Sequence, residues 1–171
     1  MKRLTTYQAI VVDVDGTFYY QKPVRQKMLK EMMMCPWRLR DFLIVKKYRE
    51  LFERGLDERE RYLCLPADAP AIINEWMIER PLPYLKMFRD VMLIDLLAEV
   101  MKTNTKVIVY SDYPVLEKLR ALGFTPDLAY SATDTECLKP NADGIIRLLR
   151  QYEIVPEQCL VIGDRDRYLS M

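Results

Sequence analysis

Three short apolar runs stand out along the chain: AIVV at Ala9–Val12, KVIVY at Lys106–Tyr110 and CLVI at Cys159–Ile162. Each is too short for an isolated helix and too uniformly apolar for a strand with one wet face. Such runs predict strands buried on both sides, the first spanning about Tyr7 to Val12. Between them the period changes. Asp90 to about Met101 is a strongly apolar helix, Pro114 to Leu122 a second helix closed by Gly123, and Pro140 opens a third that runs to about Tyr152. Asp127 to Tyr130 reads as one more short strand. Strands alternating with helices of this length predict right-handed crossovers and a parallel sheet covered on both faces, an α/β fold.

The segment from Lys22 to about Tyr84 breaks this rhythm. It is rich in Lys, Arg, Glu, Met and Leu and keeps helical periodicity throughout. In PWRLRDFLIVKKYRELFERG the residues Trp37, Phe42, Leu43, Val45, Tyr48, Leu51 and Phe52 form a broad apolar stripe, bounded by Pro36 and Gly55. A further helix from about Pro70 to Glu79 carries Ile72, Ile73, Trp76 and Met77, and Pro81 and Pro83 then punctuate the chain. An all-helical insertion over residues 20–83 is expected, flanked by a discontinuous α/β core of 1–19 and 84–171. The run Met32-Met33-Met34 reads as packing filler within the insertion.

Composition narrows the function. In 171 residues Lys and Arg balance Asp and Glu to a net charge of +1, which leaves no electrostatic footprint for nucleic acid and no polybasic membrane segment. No apolar run nears the ~18 residues of a membrane span. The start, MKRLTTYQAIVV, has a signal peptide's charge, but its apolar run ends in aspartates, so a cytoplasmic protein is expected. Cys35, Cys64, Cys137 and Cys159 are scattered without a CxxC pair and read as reduced, mostly buried thiols. The absence of histidine removes His-dependent nucleophilic catalysis and His-based zinc or iron sites. Any chemistry rests on carboxylates, lysine, hydroxyls and a hard metal ion.

Each of the three apolar strands ends in polar residues: VVDVDGT, VIVYSDYP and LVIGDRD. In a parallel sheet these ends share one edge, where open α/β folds bind ligands. Asp13, Asp15 and Asp164 brought together would repel one another unless a cation joined them. Oxygen-only donors point to Mg²⁺, which takes few carboxylates plus substrate phosphate. The spacing fits no EF-hand loop, and no P-loop sequence occurs.

The set DVDGT, the serine after KVIVY, the Lys139-Pro140 step and the terminal GDRD resembles the four motifs of the haloacid dehalogenase superfamily, in order and with matching intervening helices. The likeness covers most of the chain outside the helical insertion and points to members of the phosphoglycolate phosphatase type. It implies a Rossmann-like three-layer α/β/α core, with the insertion after motif one as a helical cap. It also implies a hydrolase that forms an aspartyl-phosphate with Mg²⁺ as cofactor and a small phosphorylated metabolite as substrate. By motif position Asp13 is then the nucleophile, and Asp15 protonates the leaving oxygen and later deprotonates water. Thr17, Ser111, Asp112 and Lys139 bind phosphate, with Lys139 also offsetting charge on Asp13. The Asp13 and Asp164 carboxylates and the Asp15 carbonyl hold the metal. Asp15 favours ester hydrolysis over dehalogenation, because dehalogenases proper lack it. A phosphoglucomutase-type transfer keeps both aspartates and ranks second.

The resemblance is incomplete at its end. A further motif-four acid is expected where Tyr168 and Leu169 stand, with Asp166 closer than usual. The chain stops at Met171, so a truncated or catalytically impaired binding module is the alternative, with an uncovered C-terminal edge open to self-association. Tyr19, Tyr20, Arg25 and Trp76 are candidates for substrate choice or simple packing, and Arg165 for pairing with an acidic neighbour.

Overall fold

The computed structural model describes residues 6–131, 134 and 142–164. In chain order the elements are β1 (Ala9–Val12), α1 (Gln21–Met34), α2 (Leu39–Glu53), α3 (Glu58–Leu63), α4 (Ala69–Asn74), a π-helical turn at Glu75–Glu79, α5 (Leu82–Leu85), α6 (Val91–Val100), β2 (Lys106–Ser111), α7 (Leu116–Leu122), β3 (Leu128–Ser131), α8 (Asp143–Gln151) and β4 (Cys159–Ile162). The strands form one parallel sheet in the order β3-β2-β1-β4.

The uniform apolar runs occupy the sheet's interior as their pattern requires. Every residue of β1 is buried, as are Val107 to Ser111 of β2. Ala9 and Val11 share a face with Ile108 and Tyr110, and Ile145, Leu148 and Leu149 of α8 cover it. Ile10, Val12, Val107 and Val109 point to the opposite face and are fully buried as well. Helix α6 packs on β2, buries Leu97 to 1 % and is capped by the Asp90 carboxylate, which accepts from the Leu93 N–H at 3.0 Å. Gly123 closes α7 in the left-handed region at φ 73°, and Arg89 Nη1 donates to the Leu122 carbonyl at 3.0 Å. The result is the three-layer α/β/α arrangement expected from the pattern.

The chain divides into two compact units, residues 1–21 with 88–171 and residues 22–87. These limits differ by a few residues from the expected 20–83 because a short antiparallel ribbon extends the α/β unit at both crossings. Tyr19 bridges Arg89, the Tyr20 N–H donates to the Phe88 carbonyl at 2.9 Å, and the Asp90 N–H donates to the Phe18 carbonyl at 2.8 Å.

The helical unit buries a narrower seam than its sequence suggested. Ile44, Tyr48 and Leu51 line the inner face of α2, whereas Trp37, Phe42 and Leu43 are exposed. Met33 and Met34 are also exposed, at 73 % and 80 %, so the expectation of packing filler fails for both. Polar contacts supply much of the rest. Trp76, 3 % exposed, donates from Nε1 to Asp41 at 3.1 Å and lies under the guanidinium of Arg80 at 4.5 Å. Glu75 takes both Arg38 and Arg80, and Arg80 also pairs with Glu31 at 3.0 Å. Burial opposes ionisation of Glu75, but the two guanidinium hydrogen bonds outweigh it and hold the carboxyl below the ordinary glutamate range. Among the described residues Cys64 is an exposed thiol and Cys35 and Cys159 are half-buried, so burial is less general than expected; Cys137 lies outside the described residues. No described helix is long and apolar enough to cross a membrane.

Candidate active site

The chain runs from β1 to β2 and β3 on one side, then returns to place β4 on the other side of β1. This reversal makes the C-terminal end of β1 the switch point where open α/β sheets form a ligand crevice. Asp13 sits there. Its N–H donates to the Ile162 carbonyl at 2.9 Å, so the ladder to β4 carries the backbone one residue past the strand. Its Oδ1 accepts from the Val14 N–H at 2.8 Å, which fixes the carboxylate at the strand end.

Val14 explains the spacing of the two aspartates. Its side chain is fully buried, and its carbonyl accepts from the Thr17 and Phe18 N–H groups at 3.2 and 3.1 Å. The valine anchors the turn in the core, and Asp13 and Asp15 flank it at half-buried positions. Gly16 takes φ 94°, a region L side chains rarely adopt. A Cβ built there would lie 2.2 Å from Asp164 Oδ2 and 2.7 Å from its carboxyl carbon, so the carboxylate beyond β4 rests directly on the turn beyond β1. Glycine is required here twice over, by the dihedral and by the neighbour.

Ser111, Asp112 and Thr17 fall on the same edge with differing surroundings. Ser111 ends β2, is 1 % exposed and accepts from the Tyr113 N–H at 3.4 Å, and Asp112 follows on the loop, half-buried. Among the described residues Thr17 Oγ1 is buried without a hydrogen-bond partner, a cost that a bound polar group would relieve. Lys139, Asp166, Tyr168, Leu169 and Arg165 lie outside the described residues. Of the residues considered for substrate choice, Tyr19 is buried and donates to Asp15, Trp76 is buried in the helical unit, and Tyr20 and Arg25 are exposed.

Two side chains hold the Asp15 carboxylate: Lys118 Nζ lies 2.7 and 2.8 Å from its two oxygens, and the Tyr19 hydroxyl donates to Oδ1. Sequence reasoning passed over Lys118. The signal was its place on the apolar face of α7 with Val115, Leu119 and Leu122, since a lysine on a buried stripe needs an anionic partner.

Among the described residues no group of three or more Cys, Asp or Glu side chains is arranged to hold a metal ion. The Asp15 carboxylate is engaged by Lys118, so the set expected to hold a cation is two acidic side chains, Asp13 and Asp164, with the Asp15 carbonyl. An all-oxygen set with few carboxylates is chemically suited to Mg²⁺, which retains water and substrate oxygens in its shell. The contact of Asp164 with Gly16 brings one of these carboxylates to the turn that begins at the other.

The fold has many solved counterparts. Similar structures include the HAD-hydrolase YfnB of Bacillus subtilis bound to magnesium, with TM-score 0.65, 16% identity, 93% of this chain and 80% of that one covered. CbbY of Rhodobacter sphaeroides in complex with phosphate aligns with TM-score 0.64 and 20% identity over 95% of this chain and 80% of its own. A hydrolase of Streptococcus pneumoniae TIGR4 aligns with TM-score 0.61 and 18% identity over 96% and 86%. No curated protein matches the sequence. The profile of the haloacid dehalogenase-like hydrolases matches residues 7–170, nearly the whole chain, with the motif one and motif four carboxylates inside the match. The chain belongs to the haloacid dehalogenase-like hydrolase family.

Proposed function

We propose that this hydrolase is a Mg²⁺-dependent phosphatase that cleaves a small phosphorylated metabolite through an aspartyl-phosphate on Asp13. The observation that carries the reading is the approach of the Asp164 carboxylate to the turn that starts at Asp13, at the switch point of the sheet. Phosphate in the CbbY structure and magnesium in the YfnB structure support the same chemistry by likeness.

In this reading an Asp13 carboxylate oxygen attacks phosphorus and the ester P–O bond breaks. Asp15 gives a proton to the departing oxygen, so the product is a neutral alcohol. Water, deprotonated by Asp15, then attacks the acyl-phosphate, which releases inorganic phosphate and restores the Asp13 carboxylate. Ser111 and the Asp112 N–H hold phosphoryl oxygens, Thr17 Oγ1 gains the partner it lacks among the described residues, and Lys139 balances the charge on Asp13 and the phosphate. Asp13, Asp164 and the Asp15 carbonyl would hold the magnesium ion, whose positive charge would offset the repulsion between carboxylate and phosphate.

Purified protein with Mg²⁺ should release inorganic phosphate from 4-nitrophenyl phosphate, and chelation should stop the release until Mg²⁺ is restored. Asp13→Asn should reduce turnover to background, because the amide is not a nucleophile. Turnover by the Asn variant at the wild-type rate would overturn the assignment of Asp13.

A further inference from the structure

We propose that Lys118 is a positioning residue of the active site, holding the Asp15 side chain in the orientation from which it hands a proton to the leaving oxygen and pairing with the carboxylate that this transfer leaves. The inference rests on the phosphatase reading above and adds a residue outside the four motifs. Lys118 projects from α7, the helix after the Ser111 loop, and its side chain is only 3 % exposed. Burying an ammonium so completely is costly without a matching anion, and Asp15 supplies it with both oxygens, at 2.7 and 2.8 Å. The Tyr19 hydroxyl donates to Oδ1 from four residues further along the chain, and the Tyr113 ring lies 5.6 Å from Lys118 Nζ. Val115, Leu119 and Leu122 are buried on the same helix, so Lys118 stands on a fixed support. A carboxylate gripped through both oxygens cannot rotate freely. Proton transfer in the transition state depends on that alignment, and an aligned acid–base contributes about 10²–10⁴-fold.

The test compares 4-nitrophenyl phosphate with phenyl phosphate, esters of similar shape whose leaving groups differ in their need for a proton. Lys118→Met should lower kcat on phenyl phosphate at least about tenfold more than on 4-nitrophenyl phosphate, with KM changed less than about twofold. Lys118→Arg, which keeps a two-point cationic grip, should recover most of the loss. Because Lys118→Met leaves Asp15 without its cation and threatens folding, the same change is also made in the Asp15→Asn background, where no charge is stranded. There Lys118→Met should change kcat less than about twofold, since a residue acting through Asp15 has nothing left to position. Equal losses on the two esters, or a full additional loss in the Asp15→Asn background, would overturn the proposal while leaving the phosphatase reading intact. No phosphate release by the wild-type protein from either ester would sink the phosphatase reading, and this inference with it.

Discussion

The α/β unit and the helical unit solve the problem of an interior by different means. In the α/β unit the centre is hydrocarbon: Ala9 to Val12 and Val107 to Val109 are buried almost completely, and among the described residues buried charge enters at the strand ends, where Asp15 meets Lys118. In the helical unit charge reaches the middle. Trp76 is bracketed by Arg80 and Arg38, which converge on Glu75, and buried Arg61 stacks against Phe52 at 4.7 Å and Tyr48 at 5.0 Å. Among the described residues Nε and Nη1 of Arg61 have no hydrogen-bond partner, and two rings flank its guanidinium. Non-directional burial tolerates local change and holds strand ends in register, which suits a scaffold for the carboxylates at those ends. Directed polar contacts fail one at a time and respond to pH.

The largest effect should come from the hydrocarbon side. Leu97, 1 % exposed on α6, fills the layer against β2. Leu97→Ala should destabilise the protein by about 2–5 kcal/mol, seen as a lower midpoint in urea unfolding. A loss below about 1 kcal/mol would mean that the layer collapses onto the cavity and that the contrast between the two interiors is weaker than drawn.

Gly16→Ala tests a place where the scaffold leaves no room. The dihedral alone should cost about 1–2 kcal/mol, and the new methyl would displace the Asp164 carboxylate, now 2.2 Å from the Cβ position. Phosphate release should therefore fall far more than stability does, and the Mg²⁺ concentration for half-maximal activity should rise. Unchanged Mg²⁺ dependence would separate Asp164 from the metal.

On the helical side, Glu75→Gln removes the anion shared by Arg38 and Arg80. With the carboxylate about a third exposed, a cost near 1 kcal/mol is expected at neutral pH. The sign of the pH effect follows from the lowered carboxyl. The folded state binds the proton more weakly than the unfolded state does, so the stabilisation is fully present above the ordinary glutamate range and is lost as pH falls through the folded value. Wild type and variant should converge in stability on acidification. A gap that persists in acid would remove Glu75's charge from the account.

The same contrast decides what the sequence made legible. Buried parallel strands declare themselves as uniform apolar runs, and β1, β2 and β4 fall where those runs stand, with β2 one residue longer at Ser111. Asp13, Asp15 and Asp164 were placed by the strand ends, because a strand's direction fixes where its last residue points. The helical seam was over-read, since periodicity marks an apolar face without saying how much of it a partner covers. Trp37 and Leu43 on that face are exposed. Lys118 went unnoticed for a related reason: its partner stands 103 residues earlier, and no local pattern reports a long-range ion pair. The ribbon of Tyr19 and Arg89 is likewise a pairing across the whole insertion, invisible to any window shorter than it.

The smallest effect belongs to a contact that is both polar and local, and it separates those two properties. Asp57 caps α3: its Oδ1 accepts from the Glu60 N–H at 2.7 Å, and Glu60 Oε2 accepts from the Asp57 N–H at 3.1 Å, a reciprocal capping box. Asp57→Ala should cost about 1 kcal/mol, close to the cost of Glu75→Gln, yet without reach. Glu75 ties together Arg38 and Arg80 from distant parts of the helical unit, whereas the box joins residues three apart. Hydrogen exchange should therefore quicken only in α3 of the Asp57 variant, and in α1, α2 and the Glu75–Glu79 turn of the Glu75 variant. If the Asp57 change instead loosened the whole helical unit, Arg61 and Tyr62 within α3 would be the reason, because the guanidinium packs that helix on Tyr48 and Phe52 and the Tyr62 ring lies 5.7 Å from that of Tyr48.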